Sequence, residues 1–263
     1  MGSASREALE AAKQQLAAAK GVSLATGEQL LAAGRAIESS AQLRSALSDP
    51  SVEPQRKSAL LKSIFGSLDG TAAALLDGIV ASPWSSQAEL LDGIEVIGIR
   101  AIALAAGPDA GIESELFAFG RTVSSDNELE LAVSSKLGSP DDKAALVAKL
   151  IGANAQPSTV AIVRHLVQSP RGRRIGGLLA GAADVVADAG GALVATVTSA
   201  VVPTAAQLAA LEKTMGRRYG RALRVNLIID PTIVGGLRVQ IGDDVIDGSI
   251  ASRLADLRIK LAG

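Results

Sequence analysis

The sequence predicts an α+β protein that is mostly α: a duplicated helical-bundle region followed by a small α/β C-terminal domain. Three observations carry this. Hydrophobic residues make up 48% of the 263 positions and aromatic ones only 2%, the composition of helices packed through Ala and Leu. An internal repeat with a spacing of 86 residues runs through the first 190 positions. Near Gly190-Gly191 the composition turns to β-branched residues, which favour strands. The length allows one large domain or two ordinary ones. The expected divisions are 1–89, an extra helical repeat; 90–190, a helical bundle; and 191–263, the α/β domain.

Ser5–Lys20 carries charge along its length and reads as an amphipathic helix. The repeat aligns Leu30–Gly66 with Leu116–Gly152 without gaps, giving 13 identities in 37 positions. These include Gly34/Gly120, Arg35/Arg121, Leu43/Leu129, Pro54/Pro140, Lys57/Lys143 and Leu60/Leu146. With a shift of one residue, Ser82-Pro83 also aligns with Ser169-Pro170. The shared Gly-Arg, the Pro and Lys three apart and the closing Gly point to duplication rather than chance likeness of alanine-rich helices. Whether the copies form one bundle or two stays open.

Each copy is punctuated as a set of helical hairpins. Ser139 is placed to cap a helix with Pro140 at its first position and Asp142 favouring its start. Ser86-Gln87-Ala88-Glu89 has the spacing of a capping box and opens an apolar helix, Leu90–Ala106, which Gly107-Pro108 stops. A second long helix is expected from Gly111 to about Ser134. Beyond Gly191, Ala192–Val202 reads as a strand ended by Pro203, and Thr204–Gln207 is another capping box, starting a helix to about Tyr219. Leu223–Asp230 reads as a second strand, giving a parallel βαβ unit.

From there to Ser249 the chain reads as a β-hairpin. Asp230-Pro231 ends one strand, Gly235-Gly236 frees the backbone, Leu237–Ile241 alternates, and Gly242-Asp243-Asp244 reverses before Val245-Ile246. A final helix is expected over Ile250–Leu261.

Several functions are excluded or disfavoured by residue chemistry. A formal net charge of −1 and the scarcity of aromatics supply neither the basic field nor the stacking platforms that nucleic-acid binding uses. The charge is uneven, with 17 Lys and Arg against 21 Asp and Glu in residues 1–190 and 9 against 6 in 191–263, as two surfaces with different partners would show. There is no cysteine, hence no disulfide or thiolate metal site. The longest weakly polar run, Ala189–Pro203, is too short to span a bilayer.

No phosphate-binding GxxxxGK[ST] loop occurs, and the Gly176–Gly181 run is read as a close packing of helices. His165, the only histidine, has no second ligand or carboxylate nearby in sequence and is expected on a helix face. Asp243, Asp244 and Asp247 lack the spacing of a calcium loop, so turn chemistry and capping by Asp247 or Ser249 account for them. No catalytic residue, cofactor site or metal site is expected.

Two basic groups, Arg171/Arg173/Arg174 and Arg217/Arg218/Arg221/Arg224, are either solvated surface or docking points for acidic partner segments, the second being the better placed. Trp84 packs in a core if buried and anchors an interface if exposed.

The run Gly235–Arg258, GGLRVQIGDDVIDGSIASRLADLR, resembles the C-terminal motif of the δ subunits of F-type ATP synthases, the bacterial counterparts of the mitochondrial oligomycin-sensitivity-conferring protein (OSCP). The matching residues are Gly235, Gly236, Gly242, Asp243, Val245, Ile246, Asp247, Gly248 and Ser249, with Arg253 and Leu254 on the helix that follows. The surplus of about one repeat is similar to the enlarged δ region of actinobacterial synthases.

The resemblance implies a non-catalytic adaptor of the peripheral stalk, without cofactor. Its helical bundle would hold the N-termini of the α subunits, and its C-terminal domain would hold the membrane-anchored b subunits. It would lie at the cytoplasmic face of the membrane without entering it. The candidate docking residues are Arg217, Arg218, Arg221, Arg253, Leu254 and Trp84, and α binding is expected on Leu90–Ala189. The alternative is a helical-repeat scaffold, binding other proteins, unrelated to the synthase.

Overall fold

The computed structural model describes residues 1–134, 138–151, 155–233, 235–242 and 244–248. The chain forms two compact units, Met1–Val186 and Ala187–Gly263. The helices are α1 (Ser3–Ala18), α2 (Leu24–Ser39), α3 (Ala41–Ser48), α4 (Pro54–Ile64), α5 (Gly70–Ala81), α6 (Gln87–Ala106), α7 (Ile112–Ser125), α8 (Asn127–Ser134), α9 (Pro140–Ile151), α10 (Pro157–Gln168) and α11 (Ile175–Ala189). After them come β1 (Ala192–Ser199), α12 (Ala205–Tyr219), β2 (Ala222–Ile229), β3 (Leu237–Ile241) and β4 (Asp244–Asp247).

The offset of 86 carries α2, α3, α4 and α5 onto α7, α8, α9 and α10, and carries α1 onto α6. So α6 is both the helix that follows the first copy and the counterpart of α1 in the second. It is buried on most sides and packs against α1, α2, α3, α5 and α10. Its residues Leu90, Leu91, Ile94, Ile97 and Ala101 complete a core with Leu16, Leu30, Ile37, Leu47, Leu75, Leu76 and Ile79. The expected division between residues 89 and 90 falls inside this helix.

The α2–α6 crossing is close because both helices present glycine. A Cβ on Gly27 would lie 2.7 Å from the Gly98 carbonyl oxygen and 2.4 Å from Ile102 Cγ1. A Cβ on Gly98 would lie 2.6 Å from Leu31 Cδ2. Such contact requires the missing side chain. The Gly176–Gly181 run, expected to pack helices, instead faces open space: an added Cβ at Gly176, Gly177 or Gly181 meets nothing within 4 Å.

Two helix boundaries differ from expectation. The long helix from Gly111 to Ser134 is two helices, because Asp126 leaves helical geometry (φ −132°) and its Oδ1 accepts the N–H groups of Glu128 and Leu129, capping α8. At Ser86 only half of the capping box forms. The Ser86 hydroxyl accepts the Glu89 N–H (3.2 Å), but the Glu89 carboxylate accepts from the Gly2 N–H (2.9 Å) and the Ser5 hydroxyl (2.6 Å), tying α1 to α6. The Ser139 cap of α9 is present, accepting the Asp142 N–H at 3.1 Å.

In the second unit the strand order is β2-β1-β3-β4. β1 and β2 run parallel from Ala192↔Ala222 to Ser199↔Ile229, joined by α12, whose Thr204–Gln207 capping box is complete. Leu211, Met215 and Tyr219 of α12 pack on a sheet core of Ala195, Val197, Leu223, Val239 and Ile241.

The expected hairpin from Leu223 is corrected: β1 lies between β2 and β3, and the hairpin is β3–β4 alone. The Asp230 N–H donates to the Ser199 carbonyl (2.9 Å), carrying the chain across the end of β1, where the positive φ of Gly235 (69°) and Gly236 (85°) turns it back antiparallel. β1 also stops at Ser199 rather than Val202, in register with the end of β2, leaving Val201 and Val202 exposed. The expected final helix lies outside the described residues.

Candidate docking surfaces

An apolar groove opens between α4 and α5. Pro54 starts α4, Phe65 caps its C-terminal end, and Asp69 caps α5 by accepting the Ala72 N–H at 2.7 Å. The Asp69 carboxylate also accepts from Thr26 (3.2 Å), and its N–H donates to Gln29 Oε1 (2.7 Å), so the turn is tied to α2. Leu61, Phe65, Leu68, Ala73, Ala74 and Leu76 line a cavity of about 340 Å³, with Lys62 and Asp77 also at its wall. It has the apolar lining that an amphipathic helix would fill.

A second feature, invisible in the sequence, is a buried ionic cluster. Glu95 of α6 is 8% exposed and His165 of α10 is 4% exposed. Arg173 donates both terminal nitrogens to the Glu95 carboxylate (2.8 Å each), Arg171 donates one at 2.6 Å, and His165 Nε2 lies at 3.2 Å. Arg171 also pairs with Asp92 at 3.0 Å.

On the other side of the imidazole, Arg35 of α2 lies 2.8 Å from His165 Nδ1. An arginine can only donate, so Nδ1 accepts and the ring proton sits on Nε2. Burial pushes the His165 pKa down, partly opposed by Glu95. Burial pushes Glu95 up, but the hydrogen bonds from His165 and Arg173 and the charges of Arg171 and Arg173 outweigh it and bring its pKa to about 2.

Two expectations are thereby corrected. His165 is not a simple helix-face residue, because the fold brings a carboxylate to it from 70 positions away. Arg171, with a side chain only 14% exposed, is not solvated surface, and Arg173, though exposed, is engaged by Glu95.

Trp84 is also corrected as a docking residue. It is 8% exposed, its indole N–H donates to the Ile79 carbonyl at 2.7 Å, and its ring lies over Gly93. Of the C-terminal candidates, Arg217 is exposed. Arg218 lies over the Tyr219 ring at 5.9 Å, and the Tyr219 hydroxyl reaches Asp244 at 3.0 Å. Arg221 is held inward, donating to Asp188 and to the Ala192 carbonyl at 2.8 Å each. Gly242 (φ 57°) makes the β3–β4 turn, and the Gly248 N–H closes the hairpin on the Leu237 carbonyl at 2.9 Å. Asp247 ends β4. Asp243, Ser249, Arg253 and Leu254 lie outside the described residues.

Among the described residues, no group of three or more His, Cys, Asp or Glu is placed to hold a metal ion, and no helix is long and apolar enough to cross a membrane.

The comparison with known proteins gives one consistent result. The family model described as "ATP synthase delta (OSCP) subunit" matches residues 100–261. "ATP synthase subunit delta" of Leifsonia xyli is 48% identical over 264 residues, covering all of both chains. The protein of that name from Streptomyces coelicolor is 38% identical, covering 100% of this chain and 98% of its own. The one from Acidothermus cellulolyticus is 40% identical, covering 90% and 88%. The family match begins within α6, whereas the Leifsonia and Streptomyces relatives align through the first copy as well.

Proposed function

The chain belongs to the ATP synthase δ (OSCP) family, a non-catalytic subunit of the peripheral stalk, and from that premise we propose which of its surfaces hold which partners. The subunit links the catalytic head to the stator. Such a link is needed because torque on the rotor would otherwise turn the head with it. The match of whole chains at 48% identity carries this reading, and a helical-repeat scaffold unrelated to the synthase does not accord with it.

The working parts are an added helical segment (1–89), a bundle of the usual kind (90–190) and a C-terminal domain (191–263). The bundle holds the N-terminal helix of an α subunit. The groove between α4 and α5 supplies a second seat for such a helix in the added segment. The C-terminal domain, with Arg217 and Arg218 at its exposed edge and Arg253 and Leu254 beyond, engages the b subunits. The protein then lies against the cytoplasmic face of the membrane through those partners. What supports the second seat is the groove itself, where half-buried Phe65 and Leu68 and exposed Ala73 and Ala74 stand over the buried Leu61 and Leu76.

Titration calorimetry of the full chain with a synthetic α N-terminal peptide tests this. Two peptides per chain are expected, falling to one in Phe65→Asp. A stoichiometry of one that Phe65→Asp leaves untouched refutes the second seat. Failure of the wild-type chain to co-purify with α and b subunits refutes the partner assignment as a whole.

A further inference from the structure

We propose that the Glu95 cluster is a registering latch between the two helical copies, fixing the angle at which the second leaves the first. Its members come from both sides of the junction. Arg35 and Glu38 stand on α2 and Asp92 and Glu95 on α6, within the first copy's packing. His165 and Ser169 end α10 of the second copy, and Arg171 and Arg173 follow on the loop to α11. The Ser169 hydroxyl donates to the Glu38 carboxylate, so the contact runs from α2 through α10 to α6.

The repeat itself shows that this chemistry belongs to the junction. With the offset of 86 for helices and 87 for the Ser-Pro turn, the counterparts of Glu95, His165 and Arg171 are Leu9, Ile79 and Trp84. All three pack in or against the first copy's apolar core. Where the first copy closes on itself with aliphatic and indole surface, the second meets its neighbour with a carboxylate, an imidazole and guanidinium groups.

Apolar contact tolerates sliding, because any well-packed register buries similar area. Buried charges do not: a displacement that parts Glu95 from Arg171 and Arg173 leaves an unpaired carboxylate out of water. A cluster of this kind selects one arrangement by penalising the others.

The loop backbone is held accordingly. Arg171 has φ 47°, the one non-glycine residue in the left-handed region among those described, and Gly172 beside it has φ 76°. Left-handed geometry is unfavourable for a residue with a long side chain. Its guanidinium is bound at both ends, to Asp92 and to Glu95, while its Nε is buried with no partner among the described residues. Such a conformation persists only where surrounding contacts over-determine it.

Because the chain has no cysteine, spin labels can be placed at will. Ser63 on α4 and Lys149 on α9 are exposed and report across the junction. In the full-length protein a single narrow distance distribution between them is expected, broadening about twofold in Glu95→Gln. Trypsin cleavage within Arg171–Arg174 should rise about tenfold in the same variant, with hydrogen exchange in the last turn of α10 rising more than that of α2 and α5. An unbroadened distribution with unchanged cleavage overturns the latch. So does loosening that spreads equally to α2 and α5, since that is general loss of stability rather than loss of register. Should Glu95→Gln fail to fold, Arg171→Lys decides: it keeps the charge but cannot span Asp92 and Glu95, and a wild-type distribution there also refutes the proposal.

Discussion

Replacing Gly93 by alanine puts two principles in direct opposition. On propensity alone the change stabilises a helix interior by about 1 kcal/mol. The structure reverses the sign. The new Cβ would stand 2.1 Å from Trp84 Cη2 and 2.7 Å from Cζ2 and Cζ3, distances at which something must move. The atoms it meets belong to a rigid ring that is 8% exposed and pinned by its N–H to the Ile79 carbonyl. Forcing the indole aside costs about 1–3 kcal/mol as overpacking, and parting its N–H from Ile79 adds about 1–3 kcal/mol.

Gly93→Ala should therefore destabilise the helical unit by about 1–5 kcal/mol overall. Trp84→Ala alone should cost about 3–5 kcal/mol through the cavity it leaves. In the Trp84→Ala background the obstacle is gone, and Gly93→Ala should now stabilise by about 1 kcal/mol. Urea unfolding followed by far-UV circular dichroism measures all four corners of this cycle. If Gly93→Ala stabilises the wild-type chain, or acts equally in both backgrounds, the account of Trp84 as a plug seated on α6 is wrong.

Other outcomes follow from contacts already described. Gly27→Ala should prevent folding of the helical unit or cost several-fold more than Gly93→Ala, because the added Cβ meets a backbone carbonyl, Gly98 O at 2.7 Å, that no rotamer change can relieve; soluble yield and thermal unfolding check it. The single imidazole NMR signal of His165 should titrate below the ordinary 6.5, since burial disfavours its charged form; a midpoint at or above 6.5 contradicts the buried neutral tautomer. Both His165 and Glu95 have depressed values in the fold, so their contribution is complete at neutral pH and lost as pH falls, His165 first below 6.5 and Glu95 between 4.5 and about 2. For Glu95 this amounts to roughly 3 kcal/mol, and Glu95→Gln should flatten the acid limb of a stability–pH curve. Thr204→Ala removes the hydroxyl that accepts the Gln207 N–H (3.2 Å) and should lower the stability of the C-terminal unit by about 1 kcal/mol, seen in its thermal transition.

What the sequence disclosed and what it hid divide by distance along the chain. The caps at Thr204 and Ser139, the stop at Gly107 and the turns at Gly235, Gly236 and Gly242 depend on residues a few positions apart, and each is legible; the parallel pairing around α12 follows from the order of strand, helix and strand. The break at Asp126 was missed because apolar spacing runs on through it while the Asp side chain caps the next helix locally. The spacing at Ser86 gives Glu89 to its own helix cap, but the N-terminus of α1 competes for the same carboxylate and wins it with two donors. The Glu95 cluster has no local signature: Arg35 and His165 are 130 positions apart, and each looks like an ordinary surface residue until α2, α6 and α10 meet. The one available signal was the repeat, in which Leu9, Ile79 and Trp84 stand where Glu95, His165 and Arg171 do.

A helix claimed by two copies also alters how the molecule comes apart. Since α6 closes the first core and stands at the head of the second copy, neither can melt without withdrawing a wall from the other. Residues 1–186 are thus expected to unfold as one cooperative block, as neighbouring units of a solenoid do. The same sharing sets a rule for growth. Each further duplication would add five helices rather than six, lengthening the array without creating a new end.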